Sequence, residues 1–147
     1  KTPIKTTTTL TIPIGGYLLN ALGYLKVSPN GKKLAIANNA SRRTNETGPK
    51  SQTVRNTGNV LLYDFDSVTG TVSNGITLIS NSNPYGVEFS SKTKKLYMTE
   101  NHFDSGGDKI VESALLQFDL KNTNIPSSKT VIETSPLYIS GALQLAN

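Results

Sequence analysis

A ten-residue phrase that returns later in the chain constrains the fold more than any single residue, because a repeated unit must pack against its own copies. Leu25-Lys26-Val27-Ser28-Pro29-Asn30-Gly31-Lys32-Lys33-Leu34 reappears as Val87-Glu88-Phe89-Ser90-Ser91-Lys92-Thr93-Lys94-Lys95-Leu96, displaced by 62 residues. A second phrase, Leu61-Leu62-Tyr63-Asp64-Phe65, returns as Leu116-Gln117-Phe118-Asp119-Leu120, displaced by 55. Gly141-Ala142-Leu143-Gln144-Leu145 then reads as a third start.

Each copy spells four strands. Tyr24 to Ser28 alternates polar and apolar residues, Pro29-Asn30-Gly31 supplies a tight turn, and Lys33 to Asn38 is the return strand. Asn59 to Asp66 follows as the third strand, and Ser67-Val68-Thr69-Gly70 turns it toward a fourth at Gly75 to Ser80. The second copy runs through Tyr85 to Ser90, Lys95 to Glu100, Ser113 to Leu120 and Lys129 to Thr134. Polar, aperiodic stretches from Asn39 to Thr57 and from Asn101 to Glu112 read as loops joining second and third strands. Thr7 to Ile12, rich in threonine, reads as the last strand of a preceding unit.

Four antiparallel strands per repeat of about 40 to 50 residues is the pattern of β-propeller blades, here lengthened by loops. The expected fold is all-β: a propeller fragment of two complete four-stranded antiparallel blades plus flanking strands. The division is 1–22 for the end of a preceding blade and its connector, 23–83 and 84–140 for two blades, and 141–147 for the start of the next. A closed propeller has about four to eight blades, so further blades or self-association are expected. A β-sandwich is the rival, but it does not explain why whole phrases recur in order with the same turn chemistry.

Composition narrows the chemistry. Hydrophobic residues make up 35% of the 147 residues, low for a chain that buries a complete core alone. The net charge of +5 is scattered over turns and strand ends, with no basic helix and no interleaved aromatics, so nucleic-acid binding is not expected. There is no cysteine, which excludes disulfides and thiolate chemistry, and one histidine, which excludes a site built from two. No apolar run approaches the ~20 residues of a membrane-spanning helix. The first residues carry neither a signal-peptide pattern nor an initiator methionine, as in a processed or excised piece.

Five ordered phrases carry a family likeness: Gly23 to Leu34, Leu62-Tyr-Asp-Phe-Asp66 with Thr69 to Asn74, Pro84 to Ser90, Lys95-Leu-Tyr97, and Gly141 to Ala146. Together they resemble the WD40-like or lactonase-like propeller of large Bacteroidetes surface proteins, associated with gliding motility or carrying a type B sorting domain of the type IX secretion system. The resemblance implies export to the cell surface or medium, continuation into another blade beyond Asn147, and no agreed catalytic set. Ser91-Lys92-Thr93 departs from the family's Pro-Asp-Gly, so the second hairpin turn is expected to be looser than the first.

Propellers gather the loops between second and third strands on one face, so both long loops are expected to share it. All the arginines, Arg42, Arg43 and Arg55, lie in the first loop. Their rigid forks suit carboxylate, phosphate or acidic sugar, and a solvated mobile loop is the plain alternative. His102 and Asp104 lie in the second. Arg42, Arg43, Arg55, His102 and Asp104 are therefore the candidate binding residues, for a protein or an anionic glycan.

Catalysis has little support. No Gly-x-Ser-x-Gly elbow or phosphate-cradling loop is present, and neither a catalytic residue, a metal site nor a cofactor is expected. The oxygens of Asn101 to Asp108 miss the calcium-loop spacing. Glu88 sits where lactonase-like propellers turn acids toward a channel, yet its repeat equivalents are Lys26 and Gln144, which do not make a metal centre. Asp64 and Asp119 recur as a repeated structural hydrogen bond would. Asn39-Ala-Ser41 and Asn45-Glu-Thr47 match glycosylation acceptors that matter only in a eukaryotic secretory pathway. The expectation is a non-catalytic binding or display module of a secreted or cell-surface protein. A lactonase-like hydrolase with acids in other blades and a structural spacer are the alternatives.

Overall fold

The computed structural model describes residues 5–7, 10, 22–40, 42–43, 53–104, 109–136 and 141–145, with the backbone alone at 22, 42–43 and 53–54. It is all-β. In chain order the strands are β1 (Leu22–Val27), β2 (Lys33–Asn39), β3 (Arg42–Arg43), β4 (Thr53–Val54), β5 (Gly58–Asp66), β6 (Thr71–Ser82), β7 (Pro84–Phe89), β8 (Lys95–Phe103), β9 (Ile110–Asp119) and β10 (Thr130–Ser135). A 3-10 turn, Pro126–Ser128, precedes β10. No helix among the described residues is long and apolar enough to cross a membrane.

Two four-stranded antiparallel sheets result, ordered β1-β2-β5-β6 and β7-β8-β9-β10, with β3 and β4 forming a two-residue ladder. The eight expected strands of the two copies are all present. Five lie within two residues of their expected bounds, and three differ by more: β6 starts at Thr71 and runs to Ser82, β8 reaches Phe103, and β9 begins at Ile110. The second loop is thus shorter than Asn101 to Glu112. The expected strand at Thr7 to Ile12 lies mostly outside the described residues, and Thr7 and Leu10 themselves are not in a strand.

The repeat reproduces itself bond for bond. In the first hairpin Ser28 Oγ accepts from the N–H of Lys32 (3.2 Å) and Lys33 (2.9 Å). Ser90 Oγ accepts from Lys94 and Lys95 N–H in the second, both at 3.0 Å. Lys33 Nζ meets Asp64 at 2.6 Å and Lys95 Nζ meets Asp119 at 2.8 Å. The recurring aspartates are structural, as their recurrence implied. The second turn is not looser: Thr93 N–H donates to Ser90 O at 2.8 Å just as Gly31 N–H does to Ser28 O. Thr93 achieves this by adopting φ +52°, beside +69° at Gly31.

The sheets share one core. Ala35, Ala37, Val60, Leu62 and Leu78 of the first pack with Val87, Phe89, Leu96, Met98, Leu116 and Phe118 of the second. Alanines at 35 and 37 leave room for β7 to lie over β1 and β2. At the rim of this contact Lys26 Nζ and Glu88 Oε2 are 2.8 Å apart. A smaller cluster, Leu34, Leu61 and Tyr63 with Leu10, Ile36, Phe65 and Val72, covers part of the other face of the first sheet.

Candidate functional site

The two sheet ends that carry the long loops are lined by buried polar residues. Asn38 lies next to the end of β2, Asn59 next to the start of β5, Ser82 ends β6, Glu100 and Asn101 lie near the end of β8, and Ser113 of β9 pairs with Asn101. The opposite ends carry the lysine turns. Buried polar groups must find partners, and here they find one another. Asn56 N–H donates to Asn83 Oδ1 at 3.0 Å, the two side-chain amides also bond, and Asn83 Nδ2 reaches Asn101 O at 3.4 Å. Asn101 N–H donates to Asn83 O (3.1 Å), and Ser113 Oγ to Asn101 Oδ1 (2.7 Å). The first loop, the connection between the sheets and β8 are thereby tied together.

Glu100 is the charged member of this group. Burying a carboxylate is costly unless it is paired and hydrogen-bonded. Both of its oxygens are engaged, Oε2 by Ser82 Oγ at 2.5 Å and Oε1 by His102 Nε2 at 2.9 Å. Above it opens a polar hollow of about 290 Å3 whose walls include Asn56, Asn81, Asn83, Glu100, His102 and Lys129.

The structure brings together part of the expected set. Arg55 of the first loop lays its guanidinium over the Phe103 ring, 4.5 Å from the centroid, so the two loops do meet at one end. His102 is a strand residue, not a loop residue, and is held by Glu100. Asp104 shapes the turn: its N–H donates to Lys109 O at 2.9 Å, and its Oδ1 accepts from Lys109 N–H at 3.3 Å. Arg42 and Arg43 pair with Val54 and Thr53 through β3 and β4, and their side chains fall outside the described residues.

Sequence reasoning missed Ser82, Asn83 and Glu100. The available signal was the polar run Asn81-Ser82-Asn83 abutting a strand, and a carboxylate at the apolar end of another. Glu88 is likewise occupied. It pairs with Lys26 and accepts from Phe89 N–H (3.0 Å) and Leu145 N–H (3.3 Å), and its hydrogen bond raises the Lys26 pKa above the usual lysine value. Among the described residues no three His, Asp or Glu side chains group as a metal would require.

Chemically, the hollow offers fixed amide and hydroxyl groups on its floor and the Lys129 ammonium in its wall. Ser82 Oγ is bonded to Glu100 and not to His102, so the three side chains lack the serine-to-imidazole contact that activates a nucleophile. The arrangement can hold a polar ligand. No family model matches the chain, and no curated protein or solved structure is similar to it.

Proposed function

We propose that the two sheets are consecutive blades of a β-propeller and that the chain is a non-catalytic binding module of a secreted or surface protein, recognising its ligand at the long-loop end. The observation that carries this reading is the polar hollow over Glu100, walled by residues from the first loop, the sheet connection and β8. Its floor is held by mutual hydrogen bonds, so little ordering cost remains for a ligand to meet. Lys129 in the wall, with Arg55 nearby, favours an anionic partner such as an acidic oligosaccharide or an acidic protein segment. Consecutive sheets with repeated turns and a shared core support the blade reading, and the family resemblance supports export.

Titration of the chain with uronate-bearing and sulfated oligosaccharides tests this. Arg55→Ala with Lys129→Ala is expected to weaken binding by about 1–3 kcal/mol. Lys32→Ala with Lys33→Ala, at the opposite turns, is the control. Equal losses from both pairs would reduce the effect to general positive charge and remove the site.

A further inference from the structure

Two faces of this molecule are equivalent by sequence and register yet differently covered. On the second sheet Val87 pairs with Met98, Phe89 with Leu96, and these with Leu116 and Phe118, placing all six on one face. On the first sheet the repeat equivalents Leu25, Val27, Ile36, Leu34, Leu61 and Tyr63 pair in the same way. Val87 and Phe89 are 0% exposed, sealed against the first sheet, whereas Leu25 is 58% and Val27 44% exposed, and only the β2 and β5 part of that face, around Leu34, Leu61 and Tyr63, is covered, with Leu10 packed on it. The hydroxyl of Tyr63, where the other sheet has Phe118, is buried on this face without a hydrogen-bond partner among the described residues.

We propose that the Leu25–Val27 face receives another four-stranded sheet of the same repeat, and that for this chain the sheet is the second sheet of another copy, joined head to tail. The inference rests on the repeat and not on any ligand at the loop end. Charge supports this occupant. Within the chain Lys26 stands beside Glu88 at the rim of the sheet contact. A second copy docked in the same way places its Glu88 next to Lys26 on the other side, so unlike charges alternate around the assembly. An identical sheet order, Lys beside Lys, would repel.

The receiving surface on the second sheet is only thinly covered. Residues 141–145 cross it, held by Thr99 Oγ1 to Gly141 O (2.7 Å) and Leu145 N–H to Glu88 Oε2. They leave an apolar gap of about 210 Å3 against Tyr97 and Leu115. Gln144 of this segment is the repeat equivalent of Lys26, so the segment lies where the β1 of a second copy would lie, and that β1 takes its place.

Sedimentation of the full chain from about 1 to 100 μM tests the proposal. Concentration-dependent association is expected. Leu25→Lys with Val27→Lys should shift its midpoint at least about tenfold toward monomer, while Val68→Lys, an equally apolar but remote turn position, should not. Leu115→Lys should also block association. An equimolar mixture of the Leu25/Val27 variant with the Leu115 variant should then form a dimer that grows no further, since each retains one intact face. Circular dichroism confirms that each variant is folded. A chain that stays monomeric throughout, association that survives the Leu25/Val27 change, or a mixture that stays monomeric would each overturn the head-to-tail assignment.

Discussion

At the scale of single residues, Thr93 carries the clearest misfit. A β-branched side chain at φ +52° is held in a left-handed conformation that costs about 1–2 kcal/mol, and its Oγ1 is buried with no hydrogen-bond partner. Gly31 makes the same turn without either cost. Thr93→Gly is therefore expected to stabilise the chain by about 0.5–1 kcal/mol, the relief exceeding the added freedom of the unfolded state. Gly31→Thr should destabilise by about 1–2 kcal/mol, since a Cβ there would lie 2.8 Å from Ser67 Oγ. Urea midpoints of the two variants measure both. The paired aspartates set a different test. The Lys33 side chain, then Asn74, holds Asp64 below the usual carboxylate value of 3.8, and the Lys95 side chain, then the Lys121 N–H, does the same for Asp119. A carboxylate depressed in the folded state contributes stability above its unfolded pKa and loses it as pH falls through the folded one. Stability should thus be flat above about pH 5 and decline below about pH 4. Asp64→Asn with Asp119→Asn should flatten that decline in pH-dependent urea melts, and a decline of unchanged slope would assign it to other carboxylates.

At the scale of elements, Gly58 is where the loop end is most tightly built. It opens β5 between β2 and β6, and a methyl group there would overlap the Asn38 carbonyl oxygen and approach Ser82 O to 2.9 Å and Ala40 N to 3.0 Å. Gly58→Ala is expected to cost about 2–4 kcal/mol and to raise amide exchange first at Asn101 and in the Asn83 network. The hairpins were legible in sequence because their chemistry is local: Ser28 and Ser90 fix the turn, and apolar alternation marks both arms. The extents of β6 and β8 were not. Among their last residues Ser82 and Glu100 are polar because they bond to one another across the sheet contact, so satisfied polarity hides strand from the apolar pattern. The same cause concealed the candidate site. Arg55 and His102 were legible as loop-end residues, but the carboxylate that organises the hollow is visible only once two strands from different repeats lie side by side.

At the scale of the molecule, the shared core makes the two sheets thermodynamically one unit, while the repeat supplies its own control for what coverage is worth. Phe89 and Val27 occupy equivalent positions on equivalent strands, one fully buried against the other sheet and one 44% exposed. Phe89→Ala should cost about 3–5 kcal/mol, the loss of a buried aromatic plus the cavity it leaves. Val27→Ala, studied at a concentration where the chain is monomeric, should cost less than about 1 kcal/mol. Because Phe89 packs into a cluster that includes Ala35, Ala37 and Val60, its truncation should lower amide protection in β2 and β5 as much as in β8 and β9. Hydrogen exchange resolved by strand decides the matter. Loss confined to β7–β10 would mean that the sheets unfold independently, and the contact between them would then be a docking of two separate units and not a single core.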